Sequence, residues 1–272
     1  MLDPRLHNPP ELTERTIRGR RLRIAHWRPL EDAGHPPLLF FSGIGASIEL
    51  LEPFLERLTG RHVITFDVPG LGGSPPPKWP YRLRTIARLA DRLMTELGFT
   101  GAVDVMGVSW GGFVAQQFAH QFRRTRRVIL AATSAGMTMV PGRPSALKHM
   151  FHPQRHTDAG YMRRHMHEIY GGLTDGLPHF QSHSFPPTKR GYMFQLLALW
   201  GWSSAWFLPF LKSRTLILMG DDDRLVPTIN GHILSWLIPH ARCETIPEAG
   251  HLFLLTHRDA MAERVETFLD EA

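Results

Sequence analysis

The sequence predicts an α/β protein, a mostly parallel sheet with helices on both faces. Three observations carry this reading. Short apolar runs alternate with amphipathic helical stretches along most of the chain. Several of those runs are apolar throughout rather than at every second position, as in strands buried on both faces. The rhythm breaks once, between about Gly136 and Leu211, where Met, His, aromatic residues and Pro accumulate.

The first fifteen residues read as a loose lead-in. From Thr16 to Trp27 apolar and basic residues alternate around Gly19, the pattern of an antiparallel hairpin with one wet face. Pro37–Phe41 and His62–Asp67 read as buried strands, the second followed by the Gly/Pro-rich loop 68–74. Leu83–Leu97 has helical spacing, with Ile86, Leu89, Leu93 and Leu97 on one stripe and Gly98 as its stop. Ala102–Met106 is a strand, Trp110–Phe122 a helix and Val128–Ala132 the next strand. The strand Thr215–Met219, a helix near Ile229–Leu237, a weaker strand near Ala241–Ile246 and a helix over Asp259–Leu269 complete the series. The division expected is a core of residues 1–136 and 212–272, with residues 137–211 inserted as a cap over the strands' C-terminal ends.

At 272 residues, 43% hydrophobic and 21% charged, the chain is an ordinary globular one, large enough to bury about 70–75% of its unfolded surface. That excludes a disordered, collagenous or coiled-coil protein. The one cysteine, Cys243, permits no intramolecular disulfide and points to a reducing compartment. The N-terminus has no basic segment followed by an apolar one, so no secretory signal is read there.

The net charge of +6 favours anionic partners in general. The densest basic run, Arg123-Arg124-Thr125-Arg126-Arg127, lies between a helix end and a strand entrance, where cations complement helix C-termini. No aromatic residue interleaves it, so a nucleic-acid surface is not expected. Gly191–Leu211 is charge-free and long enough to cross a bilayer. Its Trp200 and Trp202 lie mid-segment rather than at the edges, and it is broken by Gly201 and Pro209. A pair of buried or substrate-facing helices is expected there, not a membrane span.

Gly107-Val108-Ser109-Trp110-Gly111 follows a predicted strand and opens a predicted helix. A sharp strand-to-helix turn pushes a serine hydroxyl clear of the sheet, and small neighbours avoid crowding. A serine hydroxyl is a weak nucleophile and needs a base, which in turn needs an orienting carboxylate. On this architecture the order along the chain is Ser, acid, His. Gly220-Asp221-Asp222-Asp223 follows one late strand and Gly250-His251 the last. Asp223 is the expected acid, three residues past the Gly and ahead of Val226-Pro227, with Asp222 the alternative. His251 is chosen among 16 histidines by its place after the last strand, with His257 the alternative. Oxyanion donors are expected in the backbone N–H of Trp110 and, from the loop Ser42-Gly43-Ile44-Gly45-Ala46, in that of Ile44.

Other motifs carry less. Gly43-x-Gly45 lacks the third glycine of a dinucleotide fingerprint. His165-x-His167-Glu168 is not a His-Glu-x-x-His zinc motif, and Asp221–Asp223 lacks the spacing of a calcium loop. No metal and no cofactor are expected.

These residues resemble the α/β-hydrolase superfamily over nearly the whole chain. Gly43-Ile44-Gly45-Ala46, Phe66-Asp67-Val68-Pro69-Gly70, Ser109-Trp110-Gly111-Gly112, Ala115-Gln116-Gln117-Phe118-Ala119-His120, Ile169-Tyr170-Gly171-Gly172, Gly201-Trp202-Ser203-Ser204 and Gly250-His251-Leu252-Phe253-Leu254 are more closely similar to the intracellular medium-chain-length polyhydroxyalkanoate depolymerases. One departure is Ser42, where that family is expected to carry Asn. The resemblance implies a serine hydrolase that cuts polyesters of 3-hydroxy acids, with Ser109 as nucleophile, Asp223 as orienting acid and His251 as base. It implies a polyester granule as partner and a cytoplasmic location, at the granule surface. A small-ester hydrolase, lipase-like or acting on carbon–carbon bonds, is the alternative. Met193, Phe194, Leu197, Trp200, Trp202, Trp206, Phe207 and Phe210 are expected either to line an apolar channel or to pack the insert onto the core. Oligomeric state is not legible in the sequence.

Overall fold

The computed structural model describes residues 8–150, 152, 159–174, 185 and 187–271. Eight strands form one sheet: β1 (Glu11–Ile17), β2 (Arg20–Trp27), β3 (Leu38–Phe41), β4 (Val63–Phe66), β5 (Val103–Val108), β6 (Thr125–Ala131), β7 (Arg214–Gly220) and β8 (Ala241–Ile246). Their order is β1-β2-β4-β3-β5-β6-β7-β8. β1 and β2 pair antiparallel, as do β2 and β4. All pairings from β4 to β8 are parallel. β3, β4 and β5 are buried at every position, which accounts for their unbroken apolar runs.

Nine helices are described: α1 (Ile48–Leu55), α2 (Leu83–Glu96), α3 (Trp110–Gln121), α4 (Pro144–Met150), α5 (Ala159–Tyr170), α6 (Lys189–Leu199), α7 (Ile229–Leu237), α8 (Phe253–Thr256) and α9 (Arg258–Asp270). α2 shows how the pattern is used. Leu83, Ile86, Leu89, Ala90 and Leu93 are buried, while Arg84, Arg88 and Arg92 face water. α2 packs on α3, and α1 packs on α8 and α9.

The order of the strands fixes where a site can form. From β3 the chain passes through α1 to β4 on one side, then returns through α2 to β5 on the other. β3 and β5 are therefore neighbours whose connections leave in opposite directions, which opens a crevice beyond their C-terminal ends.

Three expectations need correction. Residues 11–15 are not a lead-in but most of β1, paired from Glu11↔His26 to Ile17↔Arg20. As an edge strand exposed along most of its length, β1 carries no alternating apolar signal. Helix α1 escapes the sequence reading because Pro53 lies inside it, although Ile48, Leu51, Phe54 and Leu55 form its buried stripe. Gly191–Leu211 holds not two helices but the end of α6, a turn at Gly201 with φ 69°, and a 3-10 turn over Leu208–Phe210. Among the described residues no helix is long and apolar enough to cross a membrane.

The basic run leads from the end of α3 into β6, at a helix end and a strand entrance as expected, but its arginines complement the ends of other helices. Arg124 donates to the Phe99 carbonyl just past α2 and pairs with Asp91. Arg126 and Arg127 donate to the Leu269 and Phe268 carbonyls near the end of α9. Arg126 also grips the fully buried carboxylate of Asp104 through two bonds, at 2.9 and 2.6 Å. Arg61, itself fully buried, lies 3.7 Å from Asp104 and reaches Glu266 and Asp270 of α9. This cluster ties α9 to the lower edge of the sheet.

Asp104 stands at the start of β5, some five residues or ~16 Å from the turn at Ser109. Replacing Asp104 by Ala removes the shared acceptor from two arginines. Breaking a buried pair in this way is expected to cost about 3–5 kcal/mol, read as a lower denaturant midpoint, with kcat of the folded enzyme within a few-fold.

Candidate active site

The turn between β5 and α3 puts Ser109 at φ 53°, ψ −118°. A non-glycine residue rarely sits in this left-handed region, and holding it there costs about 1–3 kcal/mol. The surroundings enforce it. The Ser109 N–H donates to the Ala131 carbonyl at 2.9 Å. Its own carbonyl accepts the Gly112 N–H at 2.9 Å and the Thr133 hydroxyl at 2.8 Å. A side chain at Gly111 would collide with the Phe41 carbonyl, and one at Gly107 with the Gly111 carbonyl. The two glycines of the motif thus let α3 start directly on the ends of β3 and β5.

The loop after β3 runs beside this turn. A Cβ built on Gly43 would touch the Ser109 Cβ at 3.7 Å, so Gly43 flanks the serine. Trp110 opens α3, and first-turn N–H groups of a helix lack an intrahelical acceptor. Gly45, at φ 72°, donates its N–H to Gln195 Oε1 of α6 at 2.8 Å. Ser42, the departure noted in the sequence, is buried at the end of β3.

The three aspartates after β7 separate cleanly. Asp223 Oδ2 lies 2.8 Å from His251 Nδ1, and Asp223 Oδ1 accepts the Leu225 and Val226 N–H groups at 2.9 and 2.8 Å. Both side chains of the pair are buried. With Nδ1–H donating to a carboxylate, the His251 Nε2 keeps its lone pair. Asp222 turns the other way, accepting the Gly172 N–H and pairing with Arg224 and Arg143. Burial pushes the Asp222 carboxyl up, but the Gly172 N–H and the two arginines outweigh it and hold it below the usual carboxylate range. Asp221 accepts the Ala249 N–H. The alternative acid is thus a structural ion pair. The alternative base, His257, pairs its Nδ1 with the Thr256 hydroxyl at the head of α9.

The sequence motif Ile169–Gly172 acquires a role that its residue types do not announce. The His251 N–H donates to the Tyr170 carbonyl at 2.8 Å, and the Tyr170 ring lies nearly parallel to the imidazole. Side chains at Gly171 or Gly250 would strike the facing backbone. Asp67, also within the quoted motifs, is buried and organises the crevice's other wall. It accepts the Ile48 N–H at the head of α1 and the Gly73 N–H, and pairs with Arg23. Burial raises its pKa, against the pull of those two N–H groups and of Arg23.

Among the described residues no hydrogen bond joins Ser109 Oγ to His251 Nε2, and catalytic hydrogen bonds of resting enzymes often form only with substrate. The His-rich segment forms a different group. His149, His165 and Glu168 place their ligand atoms within 4.8 Å of one another, whereas His167 turns away to Gly172 and Arg224. The His149 and His165 rings stack at 4.1 Å and 22°, and His149 Nε2 and His165 Nδ1 both approach Glu168 Oε2, at 3.2 and 3.3 Å.

The aromatic set divides. Phe207 is buried, Phe194 and Trp202 pack partly against the core, and Met193, Leu197, Trp200, Trp206 and Phe210 are exposed. Leu197 and Trp200 join Pro80, Tyr81 and Arg82 in lining a cavity of about 420 Å³.

Comparison with known proteins agrees with this geometry. Residues 36–169 and 173–258 match the family model of the alpha/beta hydrolase fold. A poly(3-hydroxyalkanoate) depolymerase of Ectopseudomonas oleovorans is 44% identical over 241 residues, 86% of this chain and 84% of that one. A 2-hydroxy-6-oxononadienedioate/2-hydroxy-6-oxononatrienedioate hydrolase of a Pseudomonas species is 28% identical over 77% of both chains. The solved structure of a membrane phospholipase A, a bacterial virulence factor, superposes with a TM-score of 0.80 at 19% identity, covering 97% of this chain and 86% of that one. The chain belongs to the α/β-hydrolase family, and it is an ester hydrolase similar to the depolymerase.

Gly111→Ala tests the packing of the turn. The added methyl has no room beside the Phe41 carbonyl, so α3 must shift. A loss of about 1–3 kcal/mol in stability is expected from chemical denaturation. The same shift should slow ester cleavage by the folded variant.

Proposed function

We propose that this α/β hydrolase cleaves the ester bonds of medium-chain-length poly(3-hydroxyalkanoate), releasing 3-hydroxy acids or oligomers through an acyl-enzyme. Ser109 attacks the ester carbonyl as His251 takes its proton, and Asp223 holds the imidazole and stabilises its charged form. The N–H groups of Trp110 and Ile44 bind the oxyanion. The alcohol-ended chain leaves with the proton carried by His251. Water activated by His251 then frees the acid end and restores Ser109. The observation that supports this reading most is the buried Asp223–His251 pair, taken with the strained β5–α3 turn that carries Ser109.

The substrate class rests on the 44% identical relative and on the insert. Residues 137–211 act as a cap on a core of residues 1–136 and 212–272. The apolar cavity beside Leu197 and Trp200 suits medium-length alkyl side chains. The exposed Trp200, Trp206 and Phe210 suit contact with a hydrophobic polyester surface. In this reading the enzyme works in the cytoplasm at storage granules. A second reading, hydrolysis of small esters or carbon–carbon bonds, draws on the 28% identical relative and uses the same triad.

Release of 3-hydroxy acids from an emulsified medium-chain polyester separates the two. Release is expected, with much less from a short-chain polyester and none from Ser109→Ala. Cleavage of small esters alone, still dependent on Ser109, would move the function to the second reading. Asp223→Asn is expected to lower kcat by about 10⁴, as loss of the orienting carboxylate does elsewhere. Asp222→Asn should leave kcat within a few-fold and instead lower stability. Asp222 holds its proton less readily than an ordinary carboxyl. Its contribution is therefore complete above the unfolded carboxylate pKa and is lost as pH falls through the lower folded one. The variant's deficit should accordingly shrink in acid.

A further inference from the structure

Gln195 lies on α6 in the insert, five residues before the exposed Trp200. It is fully buried. It touches both sides of the crevice at once. Its side-chain Oε1 accepts the Gly45 N–H at 2.8 Å, next to Ile44. Its backbone carbonyl accepts the Trp110 indole N–H at 3.0 Å. Gly45 can only donate, which fixes the amide orientation and leaves Nε2 on the far side. Among the described residues that Nε2 is buried without a hydrogen-bond partner. An unpaired buried donor costs at least as much as the single neutral bond made by Oε1 contributes. The amide therefore adds nothing net to stability. A buried polar group that does not contribute to stability, placed beside a reacting centre, indicates a functional constraint.

The rest of α6 explains why the contact is rigid. Gly191 sits so close to Gly70 that a Cβ on Gly70 would come within 2.5 Å of the Gly191 Cα. The Thr188 hydroxyl caps α6 through Gly191 N–H and also donates to the Gly70 carbonyl. The Tyr192 ring lies against Gly45, 3.3 Å from where a Cβ would stand. The helix is thus seated at one end on the loop after β4 and in its middle on the loop after β3.

We propose that Gln195 is a positioning residue for the reaction. It locks the Gly43–Gly45 loop against Trp110, so that the Ile44 and Trp110 N–H groups point at one oxyanion. This rests on the roles given above to Ser109, Ile44 and Trp110. The insert then sets the spacing of the oxyanion donors as well as covering the crevice. Removing one such donor outright costs about 10²–10³ in kcat. Loosening one that stays in place costs less.

Gln195→Leu keeps the volume and the helix but leaves the Gly45 N–H without an acceptor. Three readouts are compared with wild type: kcat and KM on a soluble 4-nitrophenyl ester of a medium-chain acid, the rate of labelling by a fluorophosphonate, and Tm. The expected result is a kcat lower by about 10–100-fold, KM within about two-fold, labelling slowed in proportion to kcat, and Tm nearly unchanged. A merely structural residue would lower Tm and leave the kcat of the folded protein alone. A kcat within two-fold of wild type, or a change confined to KM, overturns the proposal. Trp110→Phe, which keeps an aromatic side chain but loses the indole N–H, makes the same test from the other side should Gln195→Leu fail to fold. Ser109→Ala runs in parallel. Activity surviving in that variant would sink the triad reading itself, whereas a dead Ser109→Ala beside an unimpaired Gln195→Leu sinks only the positioning role.

Discussion

The close approach of three backbone segments beneath Ser109 is the constraint on which the site depends. The end of β3, the end of β5 and the first turn of α3 meet where only glycine leaves space, at Gly107 and Gly111. Because α3 begins there, the chain must reverse within one residue, and Ser109 takes up the strained turn. The strain is held by bonds from neighbouring strands, at the Ala131 carbonyl and the Thr133 hydroxyl, not by the serine itself. The position of the loop after β3 follows from the same packing, since Phe41 lies just before Ser42 and Gly43.

The Asp223–His251 pair is built by a different device. Backbone N–H groups fix the carboxylate and a backbone carbonyl fixes the histidine. Leu225 and Val226 occupy one oxygen of Asp223, so only the other faces His251. The Tyr170 carbonyl takes the His251 N–H. Neighbouring Asp222 has ordinary surface partners, and the contrast shows that position in the turn, not residue type, decides which aspartate meets His251.

Much of this was legible in the chain. Buried strands announced themselves by apolar runs, because burial on both faces constrains every residue, and α7 and β8 fell where the sequence placed them. Ser109, Asp223 and His251 follow β5, β7 and β8, and Gly43–Gly45 follow β3, at the places the chain led one to expect. What was not legible has physical reasons. β1 is wet on both sides and is held by backbone bonds that leave no side-chain signal. Pro53 hid α1, since a proline in a helix interior normally breaks it. Gln195 looked like a polar interruption in an apolar stretch. Its partner Gly45 lies 150 residues away, and only the folded chain brings them together. The aromatic residues of the insert could not be sorted by type, because Phe207 and Phe210 have the same chemistry and opposite burial.

The bond between the Tyr170 carbonyl and His251 has an evolutionary consequence. Tyr170 ends a helix of the segment between β6 and β7, the part of such enzymes usually regarded as exchangeable. Here that segment grips the histidine through α5 and the glycine loop through α6. A graft of this segment from another hydrolase would bring its own grip on both, and so would transplant reactivity together with selectivity. Divergence of the two segments is therefore coupled, and a new insert can be accommodated only by a core that already fits its two handholds.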